Sequence, residues 1–256
     1  MRRRDNVAVR RGPWQMGDGA GARRAAYYWP MGFRTRLRER FHERRAALFV
    51  DLLAPRPGAR MLDLGGGGGS LAARIRARVP LEVTVADLRR DNRAACLARG
   101  FEHVLVEPGP LPFEANAFDY VLCNSVIEHV TLPPEECGVN RPVPSVAWKA
   151  RARASQRAFA AEIERVGRGY FVQTPDRRFP VDHHLHLPLT NFLAHESLCR
   201  VARVTDRFWM QASGGTVDWE LLTPSDVRRL FPAARITVER FLGVPKSMVA
   251  WRAPAR

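Results

Sequence analysis

The sequence has very little lysine, few cysteines and no long apolar run. Lys149 and Lys246 are the only lysines among 41 lysine and arginine residues, so arginine carries almost all of the formal net charge of +15. The four cysteines lack Cys-x-x-Cys spacing, which argues against a zinc site or a dithiol redox pair and favours buried thiols in a cytoplasmic protein. No apolar stretch reaches membrane-spanning length, and the amino terminus lacks the apolar region of a secretory signal.

The positive charge is concentrated near the amino terminus. Residues 1–45 hold thirteen arginines against four acidic residues, a net charge of +9. Residues 1–25 are rich in Gly, Arg and Ala without periodicity, and we predict that residues 1–34 form a basic, partly disordered arm. Such an arm attracts nucleic acid or anionic surfaces, but its aromatic residues are not interleaved with the arginines as a base-stacking platform requires. A nucleic-acid partner is therefore an alternative that is not favoured.

From residue 35 onward, predicted helices and strands alternate. The helices are expected at 35–53, 69–79, 91–99 and 147–166, and the strands at 60–64, 82–86, 103–106, 118–123 and 169–174. This alternation is typical of a parallel sheet with helices on both faces. A further helix starts near Thr223, and the last two strands, 234–242 and 246–251, must be antiparallel because only three residues join them. The predicted fold class is α/β, a doubly wound, mostly parallel seven-stranded sheet with a carboxyl-terminal antiparallel strand.

The most informative motif is a run of five glycines directly after the first strand. The spacing of Gly65, Gly67 and Gly69, with Asp63 before them, is G-x-G-x-G and lacks the third glycine of the dinucleotide fingerprint. Glycines let the backbone approach a ligand closely, and the next helix points its free N–H groups at that ligand. Asp87 ends the second strand, where a carboxylate can accept the hydroxyls of a ribose. Together these features indicate a nucleoside cofactor.

Several segments, in order along the chain, resemble the class I S-adenosylmethionine-dependent methyltransferases of the small-molecule type. They are Asp-Leu-Gly-Gly-Gly-Gly-Gly at 63–69, Asp87, the Leu-Pro-Phe segment within 107–118, Phe-Asp-Tyr-Val-Leu-Cys-Asn-Ser-Val-Ile-Glu-His-Val at 118–130, residues 164–175 and the terminal antiparallel pair. The resemblance covers residues 45–256. It implies a Rossmann-like methyltransferase domain at 35–256 and in-line methyl transfer to a small-molecule acceptor. In such a displacement, alignment of the reacting groups is the protein's main contribution to the rate.

The resemblance also implies which residues bind the cofactor. The loop of Gly65, Gly67 and Gly69 would approach the methionine portion, Asp63 would hold its ammonium group directly or through water, and Asp87 would accept the ribose hydroxyls. The other expected cofactor-binding residues are Leu88, Glu107 and Asn124.

Those three residues follow the later strands. Leu88, together with Phe113, would either sandwich the adenine or pack in the core. Glu107 stands where the family usually has an aspartate that meets the adenine amino group. Asn124 would lie near the methyl group.

Two histidines, His129 and His184, are the candidate catalytic residues. Some metal-dependent members of the family bind a divalent ion through a Glu-x-x-Glu-His segment, but Ser125 replaces the first glutamate here, so we predict no metal. Glu128 would then open the following helix, and His129 would cap that helix or line the cleft. His184 would act as a base or substrate contact.

The segment 176–222 is long and aromatic, and we predict that it is a substrate-side insertion. Its aromatic residues suggest a lid over an apolar or ring-bearing acceptor, and core packing explains them equally well. Three alternative functions stay open: an RNA methyltransferase that uses the basic arm, an NAD-dependent oxidoreductase, and a non-catalytic cofactor-binding subunit. The missing third glycine and the antiparallel last strand argue against the oxidoreductase.

Overall fold

The computed structural model of the chain describes residues 31–208 and 214–255. The predicted basic arm at 1–34 therefore falls almost wholly outside the described residues. The helices are α1 (Met31–Leu53), α2 (Ser70–Arg76), α3 (Arg93–Ala98), α4 (Ser145–Val166), α5 (His195–Phe208) and α6 (Pro224–Leu230). The strands are β1 (Arg60–Leu64), β2 (Glu82–Asp87), β3 (Glu102–Leu105), β4 (Phe118–Asn124), β5 (Gly167–Pro175), β6 (Arg235–Phe241) and β7 (Val244–Arg252).

The seven strands form one sheet in the order β3-β2-β1-β4-β5-β7-β6. β1 to β5 pair in parallel, and β7 runs antiparallel to both of its neighbours. The predicted fold class is thus confirmed, including the antiparallel last strand. The chain connections diverge on either side of the β1–β4 pair, and ligands of such sheets bind outside the carboxyl ends of the strands at this point.

Hydrophobic layers cover both faces of the sheet. On one face Ile163 of α4 and Leu230 of α6 pack in a cluster with β4 and β5, and on the other face Phe49 of α1 and Ile75 of α2 pack against β1 and β2. Strands buried on both faces read as continuous apolar runs, which is the pattern of the central strands here. The helical layers fix the strand ends, and these ends carry the candidate site.

The predicted insertion at 176–222 contains helix α5, which was not predicted. This segment has its own buried cluster, which includes Leu198, Ala202 and Trp219, and His195 stacks on Trp148 of α4 at 3.7 Å between ring centroids. Trp219 is therefore a packed residue, while Phe192 is exposed. Among the residues that the structure describes, no helix is both long and apolar enough to cross a membrane.

Candidate active site

The glycine loop closes tightly around the end of β1. Gly65, Gly67 and Gly69 have φ values of 72°, 55° and 73°, in the left-handed region that glycine adopts at little cost. At Gly66, an added Cβ would lie 2.2 Å from the carboxyl carbon of Asp63. Beside Asp63 the loop therefore has room for backbone atoms only and not for a side chain.

Asp63 is a buried carboxyl group whose Oδ2 has no hydrogen-bond partner among the described residues. Burial, together with the charge of Asp87, raises the pKa of Asp63 to about 7. A buried acceptor without a donor is costly, and buried charges are normally paired. Asp63 is thus suited to a ligand that brings a cationic N–H donor into the loop.

Asp87 braces the glycine loop from the end of β2. Its Oδ2 accepts the N–H of Gly67 at 2.9 Å, and its Oδ1 accepts the N–H of Arg89 at 2.8 Å and the Asn92 amide at 3.1 Å. A carboxylate has about four acceptor positions, so these three bonds leave capacity for another donor such as a hydroxyl group. Asp87 faces the loop, as the sequence-based prediction requires.

Two other predicted cofactor contacts lie at the same edge of the sheet and are exposed. Leu88, with half of its surface exposed, directly follows Asp87, and Glu107 comes two residues after the end of β3. Phe113 packs edge-on against Phe118 with ring centroids 5.0 Å apart. Of the two environments expected for Phe113, core packing or an adenine contact, this is core packing.

Asn124 ends β4 and is held by α1. Its Oδ1 accepts a hydrogen bond from Arg45 at 2.9 Å, and Arg45 is itself buried and paired with Glu239 at 3.0 Å. The next residue, Ser125, has a φ of 54° and donates its hydroxyl to Gln173 at 2.7 Å. The turn after β4 is therefore fixed by β5, β6 and α1 together.

His129 and His184 are brought into edge-to-face contact although 55 residues separate them. Their Nε2 atoms lie 3.2 Å apart, and Nδ1 of His129 lies 3.1 Å from a carboxylate oxygen of Asp218. Although burial acts in the opposite direction, the hydrogen bond to Asp218 and the charge of Glu128 raise the pKa of His129. His184 stacks on Trp219 at 4.3 Å, which fixes the plane of its ring.

The neighbouring His183 points elsewhere. Its ring packs against Phe179, both ring nitrogens are buried without a hydrogen-bond partner in the described part of the chain, and burial lowers its pKa to about 3. Only one of the two adjacent histidines thus joins the cluster with His129.

The structure places the predicted residues at or beyond the carboxyl ends of the five parallel strands, β1 to β5, at one edge of the sheet. Sequence reasoning missed the residues that orient them, Arg45, Gln173 and Asp218. A carboxylate 89 residues from His129 leaves no local pattern in the sequence, and an arginine within an arginine-rich helix does not stand out.

Known proteins resemble this chain in sequence. A family model described as "Methyltransferase domain" matches residues 36–186. Over 91 residues the chain is 36% identical to the ubiquinone/menaquinone biosynthesis C-methyltransferase of Cereibacter sphaeroides, a match that covers 32% of this chain and 36% of that protein. The match thus spans about a third of the length of that relative.

Solved structures share the fold at low sequence identity. A protein of Pyrococcus horikoshii OT3 superposes with a TM-score of 0.54 at 15% identity, covering 89% of this chain and 93% of that chain. A methyltransferase of Haloferax volcanii, solved as a complex with the Trm112 methyltransferase activator, superposes with a TM-score of 0.51 at 12% identity over 88% of this chain and 95% of that chain. These likenesses support the architecture described above.

Proposed function

This chain belongs to the methyltransferase-domain family, and from that membership we propose that it transfers a methyl group from S-adenosylmethionine to a small-molecule acceptor. The single observation that carries the proposal is the bare glycine loop, with Asp87 beside it and with Asp63 behind it, whose Oδ2 is buried and has no hydrogen-bond partner among the described residues. No phosphate-binding lysine or arginine is needed at such a loop, because this cofactor carries no phosphate.

The residues of the loop fit the cofactor. S-adenosylmethionine, when bound, supplies a methyl group on a positively charged sulfur. We propose that Asp63 pairs with its ammonium group, that the backbone from Gly65 to Gly69 lies against its methionine portion, and that Asp87 accepts its ribose hydroxyls. Leu88 and Glu107 would border the adenine, at the end of β2 and beyond β3.

On the acceptor side, we propose that Asn124 borders the transferred methyl group and that His129 and His184 act on the acceptor. The two histidines follow β4, which pairs with β1, and β5, the next strand beyond β4. Asp218 fixes one ring through Nδ1 and Trp219 fixes the other by stacking. Rings held in this way align a reacting group, and alignment can contribute roughly 7–11 kcal/mol to such a displacement.

Cofactor binding tests the proposal directly. We expect calorimetry to detect one bound S-adenosylhomocysteine per chain, and we expect Asp87→Asn to weaken this binding by roughly 10- to 100-fold, since a charge-assisted hydrogen bond contributes about 1.5–3 kcal/mol. Asp91→Asn is the matched control, because Asp91 is exposed and lies four residues further along the chain. The absence of binding to the folded wild-type chain would remove the proposal.

The acceptor can be sought by measuring S-adenosylhomocysteine release over a metabolite library. A small molecule that supports turnover is the expected result, and turnover only with RNA would favour the basic arm at 1–34 as a nucleic-acid contact. We also propose a cytoplasmic location, which is supported by the four cysteines, since all of them are free and buried.

A further inference from the structure

Glu128 is a fully buried carboxylate that has a hydrogen-bond partner at only one of its two oxygens among the described residues. It lies in the short turn after β4, and its Oε2 accepts a hydrogen bond from the Thr174 hydroxyl at 3.0 Å. Its other oxygen, Oε1, is equally buried and has no partner among the described residues. Such an oxygen is costly unless a hydrogen-bond donor or a positively charged group reaches it.

The two imidazoles described above lie beside this carboxylate. One ligand atom from each of Glu128, His129 and His184 falls in a group whose members all lie within 4.8 Å of one another. Metal–ligand bonds of about 2.0–2.2 Å place neighbouring ligand atoms roughly 3 Å apart, which is close to the 3.2 Å between the two Nε2 atoms.

Both histidines have a carboxylate behind them. Asp218 contacts Nδ1 of His129 at 3.1 Å, and Asp182 lies 3.9 Å from Nδ1 of His184 while its Oδ1 accepts the backbone N–H of the same residue. Metal-binding histidines are normally oriented by a hydrogen bond at the second ring nitrogen, and Asp218 is placed to provide it for His129. For His184 the separation of 3.9 Å is longer than a hydrogen bond, its Nδ1 has no hydrogen-bond partner among the described residues, and stacking on Trp219 fixes the plane of its ring.

We propose that Glu128, His129 and His184 form a binding site for a divalent transition-metal ion. Two imidazoles and one carboxylate are a ligand set that suits zinc, iron and manganese and leaves positions open for another ligand. The next step rests on the proposed function: the ion would hold an oxygen atom of the methyl acceptor. The acceptor class would then be molecules with a hydroxyl or similar oxygen donor.

This inference departs from the sequence-based prediction that no metal binds. That prediction weighed two segments separately: Ser125 to His129, in which one carboxylate is missing, and residues 182–186, whose histidines lack regular ligand spacing. Folding supplies a third ligand from the insertion, because His184 is carried to the same point by the loop after β5. An ion bound between the two histidines would also bring a positive charge next to the buried carboxylate of Glu128.

Metal binding is measured with the ion itself as the probe. Full-length protein, stripped with a chelator, is titrated with Zn²⁺ by calorimetry and with Co²⁺ by visible absorption, which reports the ligand field. We expect one tight site per chain, and we expect Glu128→Gln and His184→Gln each to weaken Zn²⁺ binding at least roughly 100-fold. His186→Asn is the control for adventitious histidine binding, since His186 is exposed, lies two residues from His184 and has a φ of 58° that asparagine tolerates.

Melting of the metal-free variants separates a ligand role from a structural one. Glu128→Gln keeps the shape of the side chain and removes the unpaired charge, so its metal-free melting temperature should equal or exceed that of the wild type. Zn²⁺ should raise the melting temperature of the wild type and of His186→Asn and should leave that of Glu128→Gln unchanged.

Two results would overturn the metal site: a wild-type chain that takes up less than one equivalent, or Glu128→Gln binding Zn²⁺ as tightly as the wild type. Titration with S-adenosylhomocysteine is run on the same samples. Cofactor binding without metal binding refutes the metal site alone, while metal binding without cofactor binding supports the site and refutes the proposed function.

Discussion

Replacing Asp63 with asparagine is expected to weaken S-adenosylhomocysteine binding roughly 1,000-fold, because removing one partner of a buried ion pair costs about 3–5 kcal/mol. The carboxyl group is buried behind the glycine loop, and its Oδ2 has no partner among the described residues. Asparagine preserves the volume and removes the charge, so the loss would report the pairing with the ligand's ammonium group.

The same substitution is expected to stabilise the ligand-free protein at neutral pH and above. Burial and the charge of Asp87 raise the pKa of Asp63 to about 7, whereas an unfolded aspartate titrates near 4. Its stability contribution is therefore fully present below about pH 4 and is lost as the pH rises through 7. Since each pKa unit corresponds to about 1.4 kcal/mol, the gain in Asp63→Asn should approach an upper bound of about 4 kcal/mol by pH 8.

Urea unfolding between pH 4 and pH 8, followed by calorimetry with the ligand, measures both effects. The exposed Asp51 provides the control, because Asp51→Asn should change neither the ligand affinity nor the pH dependence of unfolding. An Asp63→Asn protein that is less stable than the wild type at pH 8 would mean that the carboxylate has a partner in the ligand-free state. That outcome would contradict the role given to Asp63 here.

The parts of the structure that sequence could predict are those that local patterns specify. The central strands were predictable because burial on both faces requires continuous apolar runs, and the loop from Gly65 to Gly69 because its glycines are consecutive. The antiparallel β7 followed from the length of a three-residue connection. Each of these inferences uses residues that are close together along the chain.

The remaining features depend on contacts between distant segments. Helix α5 was missed because its buried residues, among them Leu198 and Ala202, pack against the insertion's own cluster and not against the sheet whose pattern guided the prediction. The environment of His129 depends on Asp218, 89 residues away, and that of Asn124 on Arg45, 79 residues away. No spacing rule connects such pairs before the fold is known.

Gly66→Ala is expected to abolish measurable cofactor binding and to destabilise the protein by about 1–3 kcal/mol, the usual cost of inserting a methyl group where there is no space. The added Cβ would lie 2.2 Å from both Cγ and Oδ2 of Asp63. Because Gly66 has no positive φ, this cost would come from the collision with Asp63 and not from backbone strain. Either the carboxyl group rotates or the loop moves, and both changes disrupt the surface against which the methionine portion lies.

Gly58→Ala separates steric collision from backbone strain. Gly58 has a φ of 78° with nothing within 4 Å of an added Cβ, so its substitution should cost only about 1–2 kcal/mol of left-handed strain and leave cofactor binding intact. In an Asp63→Ala background the space beside Gly66 is vacated, and Gly66→Ala should then destabilise the protein less than it does in the wild type. Additive free energies of unfolding in this double-mutant cycle would show that the two residues do not collide and that the loop has room for a side chain. This result would contradict the role proposed for the glycine loop, because a loop that accepts a methyl group beside Asp63 does not require glycine to bring its backbone against the ligand.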